Sequence, residues 1–375
     1  MSLKGFAKSG LLAAVSKMTG RHAVLLPPEA GDEESILNLS APYRVEGDSL
    51  RVTLLEPESG ALRVTLLGYE GHFPTKPLWS GIADYRGPDE LWLGVRSGEI
   101  GLGEKRLGSV PLPLPTRRFC FRLELDTGGR RRHRLTGHYL ASHGNGSYFN
   151  GDNYVDYEAE ARGDVPRVLE LFKKYHARGP VLEIGCATGV VLAALAETGL
   201  ECYGVDLSSW AVEKARTRVG ESNVYVADVE KDGLSEAVRG TGPFRTLLLW
   251  AVLEHFHEPF RVLADLTRNV SPGAVLFINT TNARSLNRLL FGAEWEGYFD
   301  TSHHGVDAVS PDTLRTELPR LGWRIDELET HLSWDSSTDP TRAAVREWWA
   351  ADARFRRLLT ELDRGDLVSC VAHLK

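Results

Sequence analysis

The sequence predicts an α/β protein in which a doubly wound sheet of seven strands follows an antiparallel β-rich domain, either a sandwich or a small barrel. From residue 181 onward, short apolar runs alternate with stretches of helical periodicity. This alternation is typical of parallel strands joined by helices. Between residues 37 and 145, apolar residues recur instead at every second position among many glycines and prolines. That pattern is typical of short antiparallel strands.

The length of 375 residues favours two domains. We predict a helical segment at residues 1–20, a β-rich accessory domain at 21–145 and an α/β domain at 146–375. The segment 1–20 is too short and too interrupted for a signal peptide or a membrane span, and we expect no membrane insertion.

The composition restricts the classes of function that the protein can have. Hydrophobic residues make up 42% and charged residues 25% of the chain, with a formal net charge of −7. An acidic chain argues against nucleic acid as the main partner, because phosphate binding needs a clustered basic surface. The four cysteines have no metal-ligand spacing, and we expect buried free thiols in a reducing, cytoplasmic protein; they are Cys120, Cys186, Cys202 and Cys370.

The β-rich half contains two near-copies of one strand, Ser49 to Leu55 and Ala61 to Leu67, separated by a Pro- and Gly-containing linker. We predict that they form a β-hairpin with one buried face. Further strands are expected at Leu78 to Tyr85, Glu90 to Val95, Phe119 to Leu125 and Arg134 to Leu140.

An arginine-rich run, Gly128 to Arg134, is expected at a hairpin tip. It is either a solvated turn or a patch for an anionic ligand, and the sequence leaves both open. The role of the β-rich domain is also left open: substrate binding, dimerisation (and so a homo-oligomer) or packing.

The second half begins with an apolar run, Val181 to Ile184, that meets two glycines, Gly185 and Gly189, directly before a helical pattern. This order predicts a strand, a tight turn and a helix. Glycine lets the backbone turn sharply and approach a ligand closely, and the new helix directs unpaired N–H groups towards it.

The remaining elements follow in alternation. Strands are expected at 201–206, 224–228, 244–252, 274–281, 322–328 and 367–373, and helices at 164–175, 209–219, 259–270 and 341–362. A further helix starts after Ser310, with Ser310 as N-cap and Pro311 in the first turn, and Pro319 should kink or shorten it.

Four motifs occur in order at strand ends: Glu183-x-Gly185-x-x-x-Gly189, Gly204-Val-Asp206-Leu207-Ser208, Ala227-Asp228-Val229 and Val252-Leu-Glu-His255. Together they make residues 150 to 375 resemble the class I S-adenosylmethionine-dependent methyltransferases, which have a Rossmann-like fold. Two features depart from the family pattern. Ala187 stands where many members have glycine, and Arg245 stands where most have an aspartate.

The resemblance implies that S-adenosylmethionine is the cofactor. Gly185 and Gly189 would approach its methionine part and Glu183 would hold that end, whereas Asp206 would accept from the ribose hydroxyls. Asp228 would accept from the adenine amino group, and the other expected cofactor contacts are Cys186, Leu207, Val229 and Trp250. The runner-up, a nicotinamide-binding domain, requires G-x-G-x-x-G, which Ala187 breaks.

Methyl transfer to a hydroxyl is helped by a general base, and histidine is the usual choice near neutral pH. The candidates are His255, His303 and His304, with Glu254 to orient a histidine or the substrate. No metal site is predicted, although Glu254 with a histidine leaves one open. Substrate contacts are expected in the long connection after strand five, at Asn282, Trp295, Tyr298, His303 and His304. The aromatic residues of the entry segment either pack or close over a ligand, and both interpretations stay open; they are Tyr148, Phe149, Tyr154 and Tyr157.

We therefore predict a methyltransferase that acts on a hydroxyl of a small molecule or glycan. The alternative is a methyltransferase-like module that binds the cofactor for a structural or regulatory purpose. The identity of the acceptor is not encoded in these motifs.

Overall fold

A computed structural model describes residues 37, 39, 44–46, 49–70, 73–94, 96–112, 118–139, 146, 148–149, 154, 156–292, 295–298, 300, 302–332, 347 and 351–375. The helical segment predicted at 1–20 lies outside the described residues. Among the described helices, none has the length and apolar character that crossing a bilayer requires.

The first part of the chain forms two antiparallel sheets. One has the order β1-β2-β5-β6-β7 and the other β4-β3-β8-β9. Their apolar faces share one core, in which Val52 and Leu54 of one sheet meet Val64 and Leu66 of the other. The β-rich region is therefore a sandwich. The strands are β1 (Arg44–Glu46), β2 (Ser49–Leu54), β3 (Gly60–Glu70), β4 (Phe73–Tyr85), β5 (Asp89–Gly94), β6 (Glu99–Leu102), β7 (Lys105–Ser109), β8 (Arg118–Asp126) and β9 (Arg131–Tyr139).

The predicted hairpin of the two near-copies is wrong. β2 pairs with β1 and β5, whereas β3 pairs with β4 and β8, so the copies lie in opposite sheets. Alternation identifies the apolar face of a strand but not its neighbour. Placing β2 and β3 across the core buries both apolar faces against each other.

The arginine-rich run does lie at a hairpin tip, between β8 and β9. Its exposed part ends at Arg131. Arg132 and Arg134 are buried, and they pair with Glu56 and Asp307 respectively. Internal carboxylates therefore neutralise two arginines that the anion-patch hypothesis would assign to a ligand.

The second part is a seven-stranded sheet of order β12-β11-β10-β13-β14-β16-β15. β10 to β14 run parallel, and β16 is antiparallel to β14 and to β15. The strands are β10 (Val181–Ile184), β11 (Cys202–Asp206), β12 (Val224–Val226), β13 (Phe244–Trp250), β14 (Val270–Thr281), β15 (Trp323–His331) and β16 (Leu367–Leu374).

The helices are α1 (Tyr157–Lys174), α2 (Val190–Glu197), α3 (Ser209–Val219), α4 (Glu236–Arg239), α5 (Pro259–Thr267), α6 (Leu286–Phe291), α7 (Pro311–Arg320) and α8 (Ala353–Glu361). Both faces of the sheet are covered. Leu182 and Leu247 belong to the core on one face, and Val181 and Leu248 to the core on the other. Central strands buried on both sides explain the continuous apolar runs in the sequence.

Helix α7 begins as predicted: the Ser310 hydroxyl accepts from the Thr313 amide at 3.2 Å, and the helix ends at Arg320, one residue after Pro319. Of the helix predicted at 341–362, the structure describes α8. The chain order reverses between β10 and β13, which places a crevice at the carboxyl ends of these strands.

The sandwich packs against the connection between β14 and α7, residues 282–309, here called the β14–α7 segment. Leu67, Cys120 and Leu135 of the sandwich form one buried cluster with Trp295, Tyr298 and Val306 of this segment. Arg134 of β9 reaches across to Asp307. The sandwich is therefore in contact with the part of the chain that borders the crevice.

Candidate active site

The loop between β10 and α2 has an unusual backbone. Gly185, Ala187 and Gly189 all have positive φ, at 72°, 46° and 75°. A Cβ on Gly185 would lie 2.6 Å from the Val252 side chain, and one on Gly189 would lie 2.8 Å from the Ala215 Cβ. Both glycines are thus required by sterics, and Ala187 accepts a left-handed conformation that usually favours glycine.

Asp206 ties this loop to the next one. Its Oδ2 accepts from the Ala187 amide and its Oδ1 accepts from the Ser208 amide, each at 2.8 Å. Burial raises the pKa of Asp206 above its ordinary value, although the two amide donors act in the opposite direction. Each carboxylate oxygen keeps a second acceptor position for a ligand.

Glu183, near the end of β10, carries a buried carboxyl group that is not fully hydrogen-bonded. Its side chain is 4% exposed, and its Oε2 has no hydrogen-bond partner among the described residues. Burial, and then the nearby Asp206, raise the pKa of Glu183 well above its usual range. A carboxyl group of this kind is satisfied by a cationic or hydrogen-bond-donating ligand.

These residues open into a cavity of about 1000 Å³ at the carboxyl edge of the sheet. One wall is aromatic, with Tyr148 and Phe149 in edge contact at 5.1 Å and Phe149 stacked on Trp210 at 5.5 Å. Among the described residues, the lining contains no lysine or arginine. Its carboxylates are Glu160, Asp164, Glu183, Asp206, Asp228, Glu230, Glu254, Glu296 and Asp300.

The lining of the same cavity includes a cluster of Glu254, His255 and His303. The ligand atoms of these three side chains all lie within 4.8 Å of one another, and the two imidazole rings are 4.9 Å apart. Glu254 is buried, and its Oε2 accepts from the Thr280 hydroxyl at 2.7 Å. Burial raises the pKa of Glu254, an effect that the adjacent His255 opposes.

Both imidazole rings are anchored by backbone carbonyls. His255 Nδ1 lies 3.1 Å from the Ser302 carbonyl oxygen, and His303 Nδ1 lies 3.1 Å from the Gly297 carbonyl oxygen. Burial, and then the neighbouring His303, lower the pKa of His255. In its neutral form, the His255 ring therefore carries its hydrogen on Nδ1 and its lone pair on Nε2.

Residues 156–328 match the family model described as a methyltransferase domain. The ubiquinone biosynthesis O-methyltransferase of Thiobacillus denitrificans is 33% identical over 117 residues, which cover 31% of this chain and 50% of that protein. The protein of the same name from Maricaulis maris is 28% identical over 165 residues, 42% of this chain and 64% of the relative. A solved SAM dependent methyltransferase of Archaeoglobus fulgidus aligns with a TM-score of 0.44 and 19% identity, over 61% of this chain and 100% of that one.

The second half of the chain is a class I S-adenosylmethionine-dependent methyltransferase domain. The family match starts at residue 156, so the sandwich lies outside it. The chain spans about half to two thirds of the length of these two curated relatives, with 50% and 64% covered.

Within the methyltransferase domain, most predicted cofactor residues line the cavity: Glu183, Gly185, Asp206, Leu207, Asp228, Val229 and Trp250. Gly189 and Cys186 are not among the lining residues. Cys186 is buried in the core behind the loop, close to Gly204. The Asp228 Oδ1 already accepts from the Lys231 amide at 3.0 Å, so this carboxylate also shapes its own turn.

The predicted catalytic residues of the methyltransferase domain separate into two groups. Glu254, His255 and His303 are brought together, whereas the His304 ring stacks on His257 at 4.4 Å. His304 still lines the cavity. The role of each histidine stays a prediction.

Three expected substrate contacts have structural roles instead. The Asn282 amide donates to the Asp363 and Gly365 carbonyls, Trp295 is buried against the sandwich, and the Tyr298 hydroxyl donates to Asp307 at 2.6 Å. None of the three is among the described residues of the cavity lining. A long connection can carry packing residues as readily as substrate contacts, and the sequence did not separate the two.

Sequence reasoning missed Asp300 and Ser302. The Asp300 Oδ1 accepts from the Ser302 amide at 2.8 Å and from its hydroxyl at 2.6 Å, and the Asp300 Oδ2 lies 3.5 Å from His303 Nε2. Although burial acts to raise it, His303 and His255 hold the pKa of Asp300 below its usual value. The available signal was the position of both residues directly before the two predicted histidines.

Proposed function

We propose that the chain transfers a methyl group from S-adenosylmethionine to a hydroxyl of a small molecule or glycan. One observation carries this proposal. The glycine loop with Glu183 and Asp206 opens into the same cavity as the cluster of Glu254, His255 and His303. One cavity thus combines a place for a cationic nucleoside with groups that act on a hydroxyl.

The residues fit the cofactor. The buried Glu183 Oε2 lacks a partner and would hold a cationic group of the methionine part, where S-adenosylmethionine has an ammonium and a sulfonium. Asp206 would accept from the ribose hydroxyls, and Asp228 from the adenine amino group. When bound, the cofactor supplies an activated methyl group.

The chain's own residues supply the rest. His255 or His303 can take a proton from an acceptor hydroxyl, and the resulting imidazolium would stabilise the oxyanion, while Glu254 would orient a histidine or the substrate. Tyr148, Phe149 and Tyr154 line the same space and would hold a flat or ring-shaped acceptor and exclude water. The relatives named O-methyltransferases support oxygen as the acceptor atom.

The location is proposed from the thiols. All four cysteines are free and buried, as expected from their spacing. Unpaired thiols suit a reducing compartment, which supports the cytoplasm.

The test is mass spectrometry of products after incubation with S-adenosylmethionine and a panel of phenols, hydroxylated lipids and sugars. We expect one acceptor class to gain a single methyl group, and Asp206→Asn to reduce both cofactor affinity and product. If the protein binds the cofactor but methylates nothing in the panel, the alternative of a non-catalytic cofactor-binding module is favoured.

A further inference from the structure

We propose that Glu254, His255 and His303 form a binding site for a divalent first-row transition-metal ion. Two imidazoles and one carboxylate form a recurrent ligand set for such ions that leaves positions open for a substrate. The three ligand atoms lie within 4.8 Å of one another. Small side-chain rotations would bring them to a common centre.

The tautomers of the two histidines support this site. A carbonyl oxygen only accepts hydrogen bonds, so each Nδ1 that faces one carries a hydrogen, at Ser302 for His255 and at Gly297 for His303. The lone pair of each ring then lies on Nε2. A metal-binding histidine typically has its other nitrogen fixed in this way by a backbone carbonyl. The Glu254 carboxylate is also fixed by a hydrogen bond, which the Thr280 hydroxyl donates to its Oε2.

A further carboxylate lies beside the cluster. His303 Nε2 lies 3.5 Å from the Asp300 Oδ2. A cation held by Glu254, His255 and His303 would therefore also be attracted by Asp300.

The charge of the cavity is a third argument. Nine carboxylates line it, and its described lining contains no lysine or arginine. Like charges in a partly buried site repel one another and raise each other's pKa. The ammonium and sulfonium of the cofactor would compensate the end near Glu183. A divalent ion would compensate the end near Glu254 and Asp300.

The donor set restricts the ion. Imidazole suits Zn²⁺ and Fe²⁺ better than Mg²⁺, which prefers oxygen ligands and keeps its water, and the Glu254 carboxylate also suits Mn²⁺. The role of the ion, unlike the site itself, rests on the proposed function. A bound ion would hold the oxygen of the acceptor hydroxyl and favour its deprotonated form, the proton leaving to solvent.

Metal binding is tested on the full chain after dialysis against EDTA, with Mn²⁺ as the probe in calorimetry and electron paramagnetic resonance, and Zn²⁺ in competition. We expect one ion per chain. Glu254→Gln, His255→Ala and His303→Ala should each weaken binding at least about 10- to 100-fold. His373→Ala is the matched control. In the pairing of β14 with β16, Leu367 lies opposite Thr281 at the carboxyl end of β14, and His373 lies opposite Val275 at the other end. His373 is therefore far from the cavity, and its removal should leave ion binding unchanged.

Variants that still bind S-adenosylmethionine are taken as folded. If His303→Ala does not fold, His303→Gln is measured in its place. The proposal is overturned if the dialysed protein binds no ion, or if the folded variants bind it as well as the wild type does. Ion binding without methylation of any acceptor would retain the site and refute the enzyme. Methylation that is unaffected by EDTA would support the proposed enzyme and refute the metal site.

Discussion

Glu183 is buried, and its Oε2 has no hydrogen-bond partner among the described residues. Its folded-state pKa is raised well above the usual value by burial and by Asp206. A carboxyl group with a raised folded pKa contributes stability that is present below the unfolded pKa and is lost as the pH rises towards the folded one. The ligand-free protein therefore loses stability above about pH 4 because of this side chain.

Glu183→Gln should therefore stabilise the ligand-free protein at neutral pH and weaken S-adenosylmethionine binding. We expect the difference in unfolding free energy from wild type to grow by about 1.4 kcal/mol per pH unit above about pH 4, until the folded pKa is passed. Denaturant titrations between pH 4 and 8 measure it. Glu197→Gln, at an exposed position at the end of α2, is the control and should change little. A pH-independent difference would contradict this account.

Cofactor binding should release a proton from the same carboxyl group. A cationic ligand beside Glu183 favours the ionised form and lowers its pKa in the complex, so affinity should rise with pH until the free protein is itself ionised. Calorimetry in buffers of different ionisation enthalpy measures the released protons. The release should disappear in Glu183→Gln; equal release in both proteins would place its source elsewhere.

At the scale of elements, the junction of β10 and α2 depends on contact as well as on backbone angle. Gly189 and Gly199 both have positive φ, 75° and 87°. A Cβ on Gly189 would lie 2.8 Å from the Ala215 Cβ and 3.0 Å from its Cα, whereas a Cβ on Gly199 would meet nothing within 4 Å. The two positions separate conformational strain from overpacking.

Gly199→Ala should cost about 1–2 kcal/mol of unfolding free energy, the strain of a left-handed alanine. Gly189→Ala should cost that plus about 1–3 kcal/mol for overpacking α2 against α3. Equilibrium denaturation of both variants gives the comparison. Equal losses would mean that α3 yields to the added methyl group without cost.

The elements were predictable where periodicity and strand-end chemistry coincide. Glu183 and Asp206 follow from a strand, a turn and an acid in local order, and the structure places both at the predicted edge. The partner of β2 was not predictable, because its alternation is the same whichever strand lies beside it. Ser302 and Asp300 were missed since their contacts to His255 and His303 depend on how the β14–α7 segment folds back.

At the scale of the molecule, the sandwich and the methyltransferase domain share buried charges. Arg134 pairs with Asp307 and lies over the Tyr298 ring at 4.6 Å. Asp307 is also 3.2 Å from Arg288. Asp307 lies on the same segment as Ser302 and His303, so this contact fixes one end of the segment that positions the histidine cluster.

Arg134→Met should destabilise the protein by about 1–3 kcal/mol, because Asp307 loses one of its two arginine partners and keeps only Arg288 and the Tyr298 hydroxyl. Arg131→Met is the matched control. It lies three residues away on the same strand, 73% exposed and paired with the half-exposed Asp126, and should change stability by less than about 1 kcal/mol. Chemical denaturation measures both; equal effects would show that the interdomain pair contributes nothing specific.

The contact between the sandwich and the β14–α7 segment also limits how far the chain can be shortened for expression. A fragment that starts at the family match, residue 156, would lose Leu67, Cys120 and Leu135 as the cover of Trp295 and Val306. It would therefore expose an aggregation-prone apolar surface next to Asp307, which would have lost Arg134 as an ion-pair partner. Expression trials should keep both parts in one polypeptide, since low yield of the shorter fragment would reflect this uncovered face and not an inability of the methyltransferase sheet to fold.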